Sequence, residues 1–231
     1  MIKNVKKLKK IKIVFEDKNI IVVDKPANLL TISTNNEKER TMFHQVLSYE
    51  KKKNKNNKIF IVHRLDKDTS GLMLFAKNEK IKKILQDNWD QMAKLRGYIA
   101  VVEGKVEQQK GTIKSYLKEN ANYVSASTKQ KSTGKLAITK FEKLKTSKNY
   151  SLLQIEILTG RKNQIRVHLK EMNHPIIGDK KYDAITNPLQ RLGLHANILE
   201  IYHPITKELM KFVSKTPVKF TDMFSKKEKT K

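Results

Sequence analysis

The chain has 231 residues, enough for one sizeable hydrophobic core, and it carries 49 Lys and Arg against 23 Asp and Glu, a formal net charge of +26. This charge exceeds what solubility requires and favours a phosphate-rich partner, because neutralised phosphates release condensed counterions. A lysine-rich composition whose charge is merely solvated is the alternative. Cysteine is absent, which excludes disulfides, thiolate metal sites and a cysteine nucleophile.

The sequence shows neither a membrane span nor a signal peptide. No uncharged apolar stretch approaches membrane-spanning length, and Lys12, Glu16 and Asp17 interrupt the apolar run behind the basic start. We therefore expect a soluble protein of the cytoplasm that does not bind a membrane.

Short apolar runs along the chain predict many strands and a few helices in one domain. Residues 1–10 are a predicted basic arm, residues 11–224 the folded domain and residues 225–231 a charged tail. The expected strands cover residues 11–15, 19–24, 59–62, 72–76, 98–102, 112–118, 122–128, 136–144, 150–158, 198–202 and 210–213. The expected helices cover residues 41–50, 79–95 and 164–172, with an exposed loop at 51–58. This mixture predicts the α+β class, with a central, mostly antiparallel mixed sheet flanked by helices and loops.

A polar segment separates two apolar runs between residues 61 and 76. Charged side chains between buried strands are costly to desolvate, so the segment should form a turn or line a site. A turn is the simpler interpretation, since Asp, Thr, Ser and Gly are common turn residues. Arg64 and Asp66, however, would share one face of a strand that continues from residue 62, because residues two apart point the same way.

A second polar stretch, residues 158–169, leads from a predicted strand into a predicted helix. Gln164, Arg166 and His168 lie near the helix start, where their donors could meet an anion with help from the helix dipole. A basic helix held by its apolar face, with solvated arginines, is the alternative.

Two further predictions concern a metal ion and the only tryptophan. The six His residues show no zinc-like spacing and no Cys could assist them, so we expect no metal site. Trp89 lies on the apolar stripe of the predicted helix 79–95, which favours a core position over a stacking surface.

The pattern His-Arg-Leu-Asp, two residues, Thr-Ser-Gly and an apolar strand, from residue 63 onward, resembles the catalytic motif of RluA-type pseudouridine synthases. Other segments are similar to further motifs of that family in the same order; they are residues 22–27, 96–100, 158–169, 174–179, 191–196 and 203–204. Two departures concern local loop geometry: Asn163 replaces a usual His, and Asn28 replaces a common Gly. We expect no additional N-terminal RNA-binding domain, so RNA contacts should come from the catalytic domain, residues 11–224, and the basic arms.

The resemblance implies that the protein isomerises uridine to pseudouridine in structured RNA, ribosomal or transfer, as a monomer without cofactor or metal. Asp66 corresponds to the catalytic carboxylate, acting as a nucleophile at C1′ or as the base of an elimination; the sequence leaves both open. Arg166 corresponds to the arginine paired with this carboxylate. Tyr98 corresponds to the aromatic residue that stacks on the uracil and could help to remove the C5 proton.

The resemblance also implies a set of substrate contacts. Arg64 corresponds to the residue that fills the gap left by the flipped base, and Leu169 is expected either to pack on the base or to lie in the core. The remaining predicted substrate-binding residues are His63, Thr69, Arg161 and Gln164, with Thr69 expected mainly to shape the turn.

Two other functions compete with this interpretation. A non-catalytic RNA-binding or ribosome-associated protein on the same scaffold would explain the charge, but it needs no carboxylate facing RNA phosphates. A small-molecule glycosidase leaves the charge unexplained. The combination of Asp66, Tyr98 and Arg166 therefore favours the synthase.

Overall fold

The computed structural model describes residues 11–34, 37–119, 125–128 and 131–225. The predicted basic arm lies outside the described residues, as does the predicted tail after Ser225. Within the described part, eleven strands form one sheet that five short helices cover. No helix of this part is both long and apolar enough to cross a membrane.

The elements follow one another as short strands with helices between them. The strands are β1 (Ile13–Glu16), β2 (Ile20–Lys25), β3 (Phe60–Ile61), β4 (Ser70–Ala76), β5 (Ala93–Glu103), β6 (Lys110–Glu119), β7 (Ser125–Thr128), β8 (Lys135–Thr146), β9 (Tyr150–Ile157), β10 (Leu194–Tyr202) and β11 (Leu209–Val213). The helices are α1 (Met42–Lys53), α2 (Glu79–Asp87), α3 (Trp89–Met92), α4 (Gln164–Glu171) and α5 (Val218–Asp222), with a 3₁₀ turn at Lys180–Tyr182.

The sheet is mixed and almost entirely antiparallel. Its strand order is β1-β2-β4-β10-β5-β9-β8-β6-β7, with β3 paired to β4 and β11 paired to β10. Among the described strands, only β4 and β10 run parallel, through the pairs His195–Ser70 and Ala196–Gly71. The predicted fold class, α+β with a mostly antiparallel mixed sheet, is confirmed.

Strand β4 is buried on both faces, which explains its uninterrupted apolar sequence. Leu72 and Leu74 belong to the core that α2 covers, and Met73 and Phe75 to the core that α1 covers. Each such side chain contributes about 2–3 kcal/mol through removal of apolar surface from water. The loop that precedes β4 is therefore attached to the most deeply buried strand of this half of the sheet.

Helix α4 packs on the other half of the sheet. Its residues Ile165 and Leu169 join the core formed by β5 and β9, with Ala100 and Leu153 among their partners. This packing brings the first turn of α4 to the loop of residues 63–69, which we call the Asp66 loop.

The predicted helix over residues 79–95 is wrong in its second half. The structure divides it into α2 and α3 at Asn88, which has φ −118° and ψ 22°. Residues 93–95 instead begin β5, where Ala93 pairs with Ile201 and Leu95 with Glu200 of β10. Pairing with a neighbouring strand here overrides the helical periodicity.

The predicted strand through Arg64 and Asp66 is also wrong, since β3 ends at Ile61 and the Asp66 loop is irregular. The sheet resumes at Ser70, two residues earlier than expected. Helix α1 extends to Lys53, so the start of the predicted loop 51–58 is helical.

Gly71 allows β4 and β10 to approach closely just after the Asp66 loop. Its φ is +118°, and a Cβ atom at this position would lie 2.1 Å from the carbonyl oxygen of Ala196. Only glycine meets both conditions.

We expect Gly71→Ala to lower the free energy of unfolding by at least about 2 kcal/mol. The alanine would be strained at the positive φ and its Cβ would overlap the backbone of Ala196, and the two costs add. Chemical denaturation of the wild type and the variant measures this difference. Gly160→Ala is the matched control, since a Cβ there meets only a guanidinium nitrogen of Arg96 at 3.2 Å. Equal stability of Gly71→Ala and the wild type would contradict the assigned close approach.

Candidate active site

A pocket of about 810 Å³ opens between the Asp66 loop, α3, β5 and the start of α4. We call it the Asp66 pocket. It brings together eight of the nine predicted site residues, although they come from distant parts of the chain. These residues are His63, Arg64, Asp66, Thr69, Tyr98, Arg161, Gln164 and Arg166.

Asp66 lies in a turn whose backbone is fixed from two sides. The amide of Thr69 donates to the carbonyl of Asp66 at 3.2 Å and closes the turn. The hydroxyl of Thr31 donates to the carbonyl of Leu65 at 2.7 Å. The Asp66 carboxylate is one-third exposed, so it faces the pocket while its backbone is held by buried partners.

The buried side chain of Lys25 also holds the Asp66 loop in place. Its ammonium group is fully buried and donates to the carbonyls of Pro26, Leu29 and Lys67 at 3.0, 2.7 and 3.0 Å. Burial lowers the pKa of Lys25 to about 7, although the charges of Asp68 and Asp66 oppose the shift. The segment after β2 is thereby tied to the Asp66 loop.

Arg166 is buried beside Asp66 but is held mainly by Asp179. Its Nε and Nη2 donate to the two oxygens of Asp179 at 2.7 Å each, while Nη1 lies 3.4 Å from Oδ2 of Asp66. Burial alone would lower the pKa of Arg166, but Asp179, assisted by Asp66, raises it above its ordinary value. The guanidinium therefore stays charged and fixed in orientation.

The sequence predicted the approach of Arg166 to Asp66 and missed the role of Asp179. The signal was present, since Asp179 ends the segment 174–179 that matches a motif of the family. That this carboxylate is buried and holds Arg166 by two parallel hydrogen bonds can be recognised only once the fold is known.

Asn163 and Asn28, the two departures from the family pattern, both adopt left-handed backbone, with φ +54° and +62°. Asparagine tolerates this conformation better than most residues other than glycine. The Asn163 amide also donates to the hydroxyl of Tyr182 at 3.0 Å, and its Oδ1 accepts from Arg166 at 3.2 Å. Asn163 thus starts α4 and helps to orient Arg166.

Tyr98 lies in β5 and is partly exposed in the Asp66 pocket. Burial raises its pKa to about 12; the nearby Arg96 opposes the shift and Asp66 adds to it. The hydroxyl therefore carries its proton at neutral pH and is a poor base. The ring remains available for stacking.

Two positions were expected for Leu169, on the base or in the core, and the structure has it in the core and absent from the pocket wall. Its side chain is fully buried and belongs to the core between α4 and the sheet. Ile165, one turn earlier, and Leu194 of β10 supply apolar surface to the pocket instead.

Gln164 lines the pocket but uses its whole side-chain amide within the protein, so its contact with substrate stays a prediction. Its oxygen accepts from the hydroxyl of Thr159 at 2.7 Å and from the backbone of Arg161 at 3.0 Å. Its nitrogen donates to the carbonyl of Ile138 and the hydroxyl of Thr139, each at 3.0 Å. Gln164 therefore shapes the pocket wall and positions the segment that carries Arg161.

His63 also has a supporting position. Its Nε2 accepts from the amide of Leu74 at 3.1 Å, and its ring stacks on Trp89 with a centroid distance of 5.0 Å. Burial, with the charge of Arg96, lowers the pKa of His63 to about 4, so the ring is neutral. Trp89 was expected in the core; it is partly buried and packs against the core that α2 covers, and it also forms part of the pocket wall.

The pocket mouth is rich in cations. Arg64 is exposed there, while Arg161 and Arg96 are anchored through donation to the carbonyls of Leu136 and Leu158 at 2.8 and 2.7 Å. The sequence missed Arg96, although it begins the matching segment 96–100. In all, five cationic side chains and three carboxylates line the pocket: Arg64, Arg96, Arg161, Lys162, Arg166, Asp66, Asp90 and Glu119.

In the described part of the chain, no three His, Asp or Glu side chains converge as ligands for a metal ion.

Comparison with known proteins places this arrangement in a family. Residues 19–171 match the family model described as RNA pseudouridylate synthase. An uncharacterized RNA pseudouridine synthase of Bacillus subtilis, YhcT, is 34% identical over 200 residues, which are 86% of this chain and 66% of that protein. The ribosomal large subunit pseudouridine synthase D of Borreliella burgdorferi is 33% identical over 221 residues, 93% of this chain and 68% of that protein.

A solved structure, human RNA pseudouridylate synthase domain containing 4, shares the fold with a TM-score of 0.75 and 22% identity, covering 91% of this chain and 90% of that one. The chain spans about two thirds of the length of the curated relatives that it matches. The chain therefore belongs to the RNA pseudouridylate synthase family, as the RluA-type motifs indicated, and the activity of that family is isomerisation of uridines in RNA.

Proposed function

We propose that this protein isomerises specific uridines of structured RNA, with Asp66 as the catalytic carboxylate. The single observation that carries the proposal is the convergence of Asp66, Arg166 and Tyr98 in one pocket with a cationic mouth. A pocket of about 810 Å³ is in the range of small-molecule sites, so it can accept one nucleotide. A protein that only binds RNA gains nothing from a carboxylate at the centre of its basic surface.

The proposed reaction begins when the target uridine is swung out of its stack, at a cost of a few kcal/mol. We propose that Arg64, which is exposed, occupies the space that the nucleotide leaves. Asp66 then either attacks C1′ as a nucleophile and forms an ester there, or removes the C2′ proton in an elimination, and in both routes the N1–C1′ bond breaks. After the uracil turns, C5 bonds to C1′ as the ester bond breaks, or as the proton returns to C2′ in the elimination route. C5 then loses its proton and N1 gains one.

Arg166 contributes charge and order to this step. Its guanidinium places a fixed positive charge 3.4 Å from the carboxylate that either route uses. Because Asp179 engages two of its nitrogens, Arg166 does not have to reorganise when the nucleotide enters. Nothing is oxidised and no group leaves, so we propose that the reaction needs no cofactor or metal. We propose a monomer because the family resemblance implies one.

We propose ribosomal large-subunit RNA as the substrate, and with it action in the cytoplasm. The support is the name of the Borreliella burgdorferi relative, which refers to that RNA. Transfer RNA is the alternative that a substrate assay distinguishes.

Asp66→Asn should lower pseudouridine formation at least about a thousandfold, because the amide can act neither as nucleophile nor as base. Its RNA affinity should stay within about twofold, since phosphate contacts dominate binding. Single-turnover conversion and a filter-binding titration measure the two quantities. Asp68→Asn is the control: it removes a carboxylate from the same loop but not from the pocket wall, so it should remain active. Substantial turnover by Asp66→Asn would exclude the assigned role.

Tyr98→Phe should retain the single-turnover rate within about threefold, because the protonated hydroxyl is not needed for stacking. Tyr98→Ala should be slower by about tenfold or more, since stacking of a base on an aromatic ring is worth about 1–3 kcal/mol. A large loss in the Phe variant would assign a chemical step to the hydroxyl.

RNA affinity should fall steeply with salt concentration, and Arg161→Ala should reduce the slope of log Kd against log salt by about 1, as for loss of one phosphate contact. Fluorescence anisotropy of labelled RNA measures the slope. Lys211→Ala is the control, because Lys211 lies outside the pocket and pairs with Glu200 at 2.9 Å. A flat salt series for the wild type would contradict binding through the basic surface.

A further inference from the structure

A chain of buried polar side chains runs behind the Asp66 loop and takes no part in the mechanism described so far. Ser70 accepts from Nη2 of Arg191 at 2.7 Å and lies 2.8 Å from Nδ1 of His195. Nε2 of His195 lies 3.1 Å from the hydroxyl of Ser214, which donates to Oδ2 of Asp24 at 2.7 Å. We call these five residues the polar chain; none of them lines the Asp66 pocket.

The hydrogen bonds of the polar chain have one consistent direction. The carboxylate of Asp24 can only accept, so the single hydroxyl proton of Ser214 goes to Asp24, and Ser214 accepts from Nε2 of His195. A neutral imidazole with its proton on Nε2 accepts at Nδ1, so Ser70 donates its hydroxyl proton there. Ser70 in turn accepts from Arg191, which can only donate. A chain of donors aligned between a guanidinium and a carboxylate polarises every member in the same sense.

Burial makes this direction persistent. Ser70, His195 and Ser214 are each 5% exposed or less. Burial lowers the pKa of His195 to about 4, with Asp24 opposing the shift and Arg191 adding to it, so the neutral ring dominates at physiological pH. A buried polar group left without its partner costs more than its hydrogen bond contributes, so each link holds its neighbours in place.

The polar chain reaches the Asp66 loop through Ser70, the first residue of β4. The backbone holds β4 to β10 there through only two residue pairs, at Ser70 and at Gly71. Asp24, at the other end, pairs with Leu72 of β4 and precedes Lys25, which binds the loop at Lys67. The loop is therefore fixed at its middle by Lys25 and at its end by the polar chain.

We propose that the polar chain orients the Asp66 loop for the chemical step, so that Ser70, His195 and Ser214 are positioning residues. The proposal rests on the role proposed above for Asp66. The polar chain acts through the turn that the amide of Thr69 closes onto the carbonyl of Asp66, because Thr69 is covalently joined to Ser70. A misplaced carboxylate binds the same RNA but reacts more slowly.

The kinetic test compares Ser70→Ala and Ser214→Ala with a matched buried serine outside the polar chain. Ser151→Ala is that control: Ser151 is fully buried, donates to the carbonyl of Gly104 and accepts from the amide of Val106, both at 2.9 Å. All variants are assayed under single-turnover conditions at a temperature at which circular dichroism shows each to be folded.

Ser70→Ala and Ser214→Ala should each lower the rate of the bound complex at least tenfold, with Kd for RNA within twofold of the wild type. The double variant should be no slower than the slower single variant, because either substitution alone already interrupts the polar chain. Ser214→Thr, which keeps the hydroxyl, should recover most of the rate. Ser151→Ala should lose thermal stability but keep its rate. Wild-type rates in both polar-chain variants, or equal losses in Ser151→Ala, would overturn the proposal.

Amide hydrogen exchange provides a measurement that needs no activity. Ser214→Ala should accelerate exchange at the Thr69 amide at least tenfold, whereas Ser151→Ala should leave it unchanged. Nitrogen chemical shifts of the His195 ring in the wild type should show the neutral Nε2–H form. Unchanged exchange at Thr69, or an Nδ1–H ring, would contradict the polar chain whatever the activity. An active Asp66→Asn variant would instead contradict the catalytic role of Asp66, whereas faster exchange at Thr69 in Ser214→Ala would still support the link between the polar chain and the Asp66 loop.

Discussion

The buried pair of Arg166 and Asp179 is the interaction on which the rest of the site depends. Two parallel hydrogen bonds of 2.7 Å fix the guanidinium so that its third nitrogen faces Asp66 at 3.4 Å. Two buried charges lose their hydration, and this loss is tolerated only when the geometry is good and the remaining donors are engaged. Asn163 and the ring of Tyr182, 4.9 Å from the guanidinium, complete that engagement.

The sheet explains why residues 100 positions apart meet here. The Asp66 loop is joined to β4, which has helices on both faces, and α4 is held by its own apolar face on the other half of the sheet. Each part of the pocket is thus fixed to a separate core, and the two parts are joined by the short pairing of β4 with β10 and by buried polar contacts. Lys25, the polar chain and Arg166 all lie at this junction, where apolar packing alone would leave the orientation of Asp66 undetermined.

The sequence predicted the fold class, the pocket residues Asp66, Tyr98 and Arg166, and most strands to within a few residues. It could not decide between the alternatives where a side chain had two plausible environments. Leu169 and Ile165 share one helix face, and only the packing shows that Leu169 is buried in the core while Ile165 reaches the pocket. Gln164 looked like a donor for an anion, but four internal partners occupy its amide. Trp89 fitted a helical stripe that ended when Ala93 paired with β10.

The most direct test of the central claim is a map of pseudouridine in cellular RNA with the gene intact, deleted and restored. We expect at least one site to disappear on deletion and to return with the wild-type gene, and we expect this site to lie in large-subunit ribosomal RNA. A map that is identical in the intact and deleted strains would contradict the account.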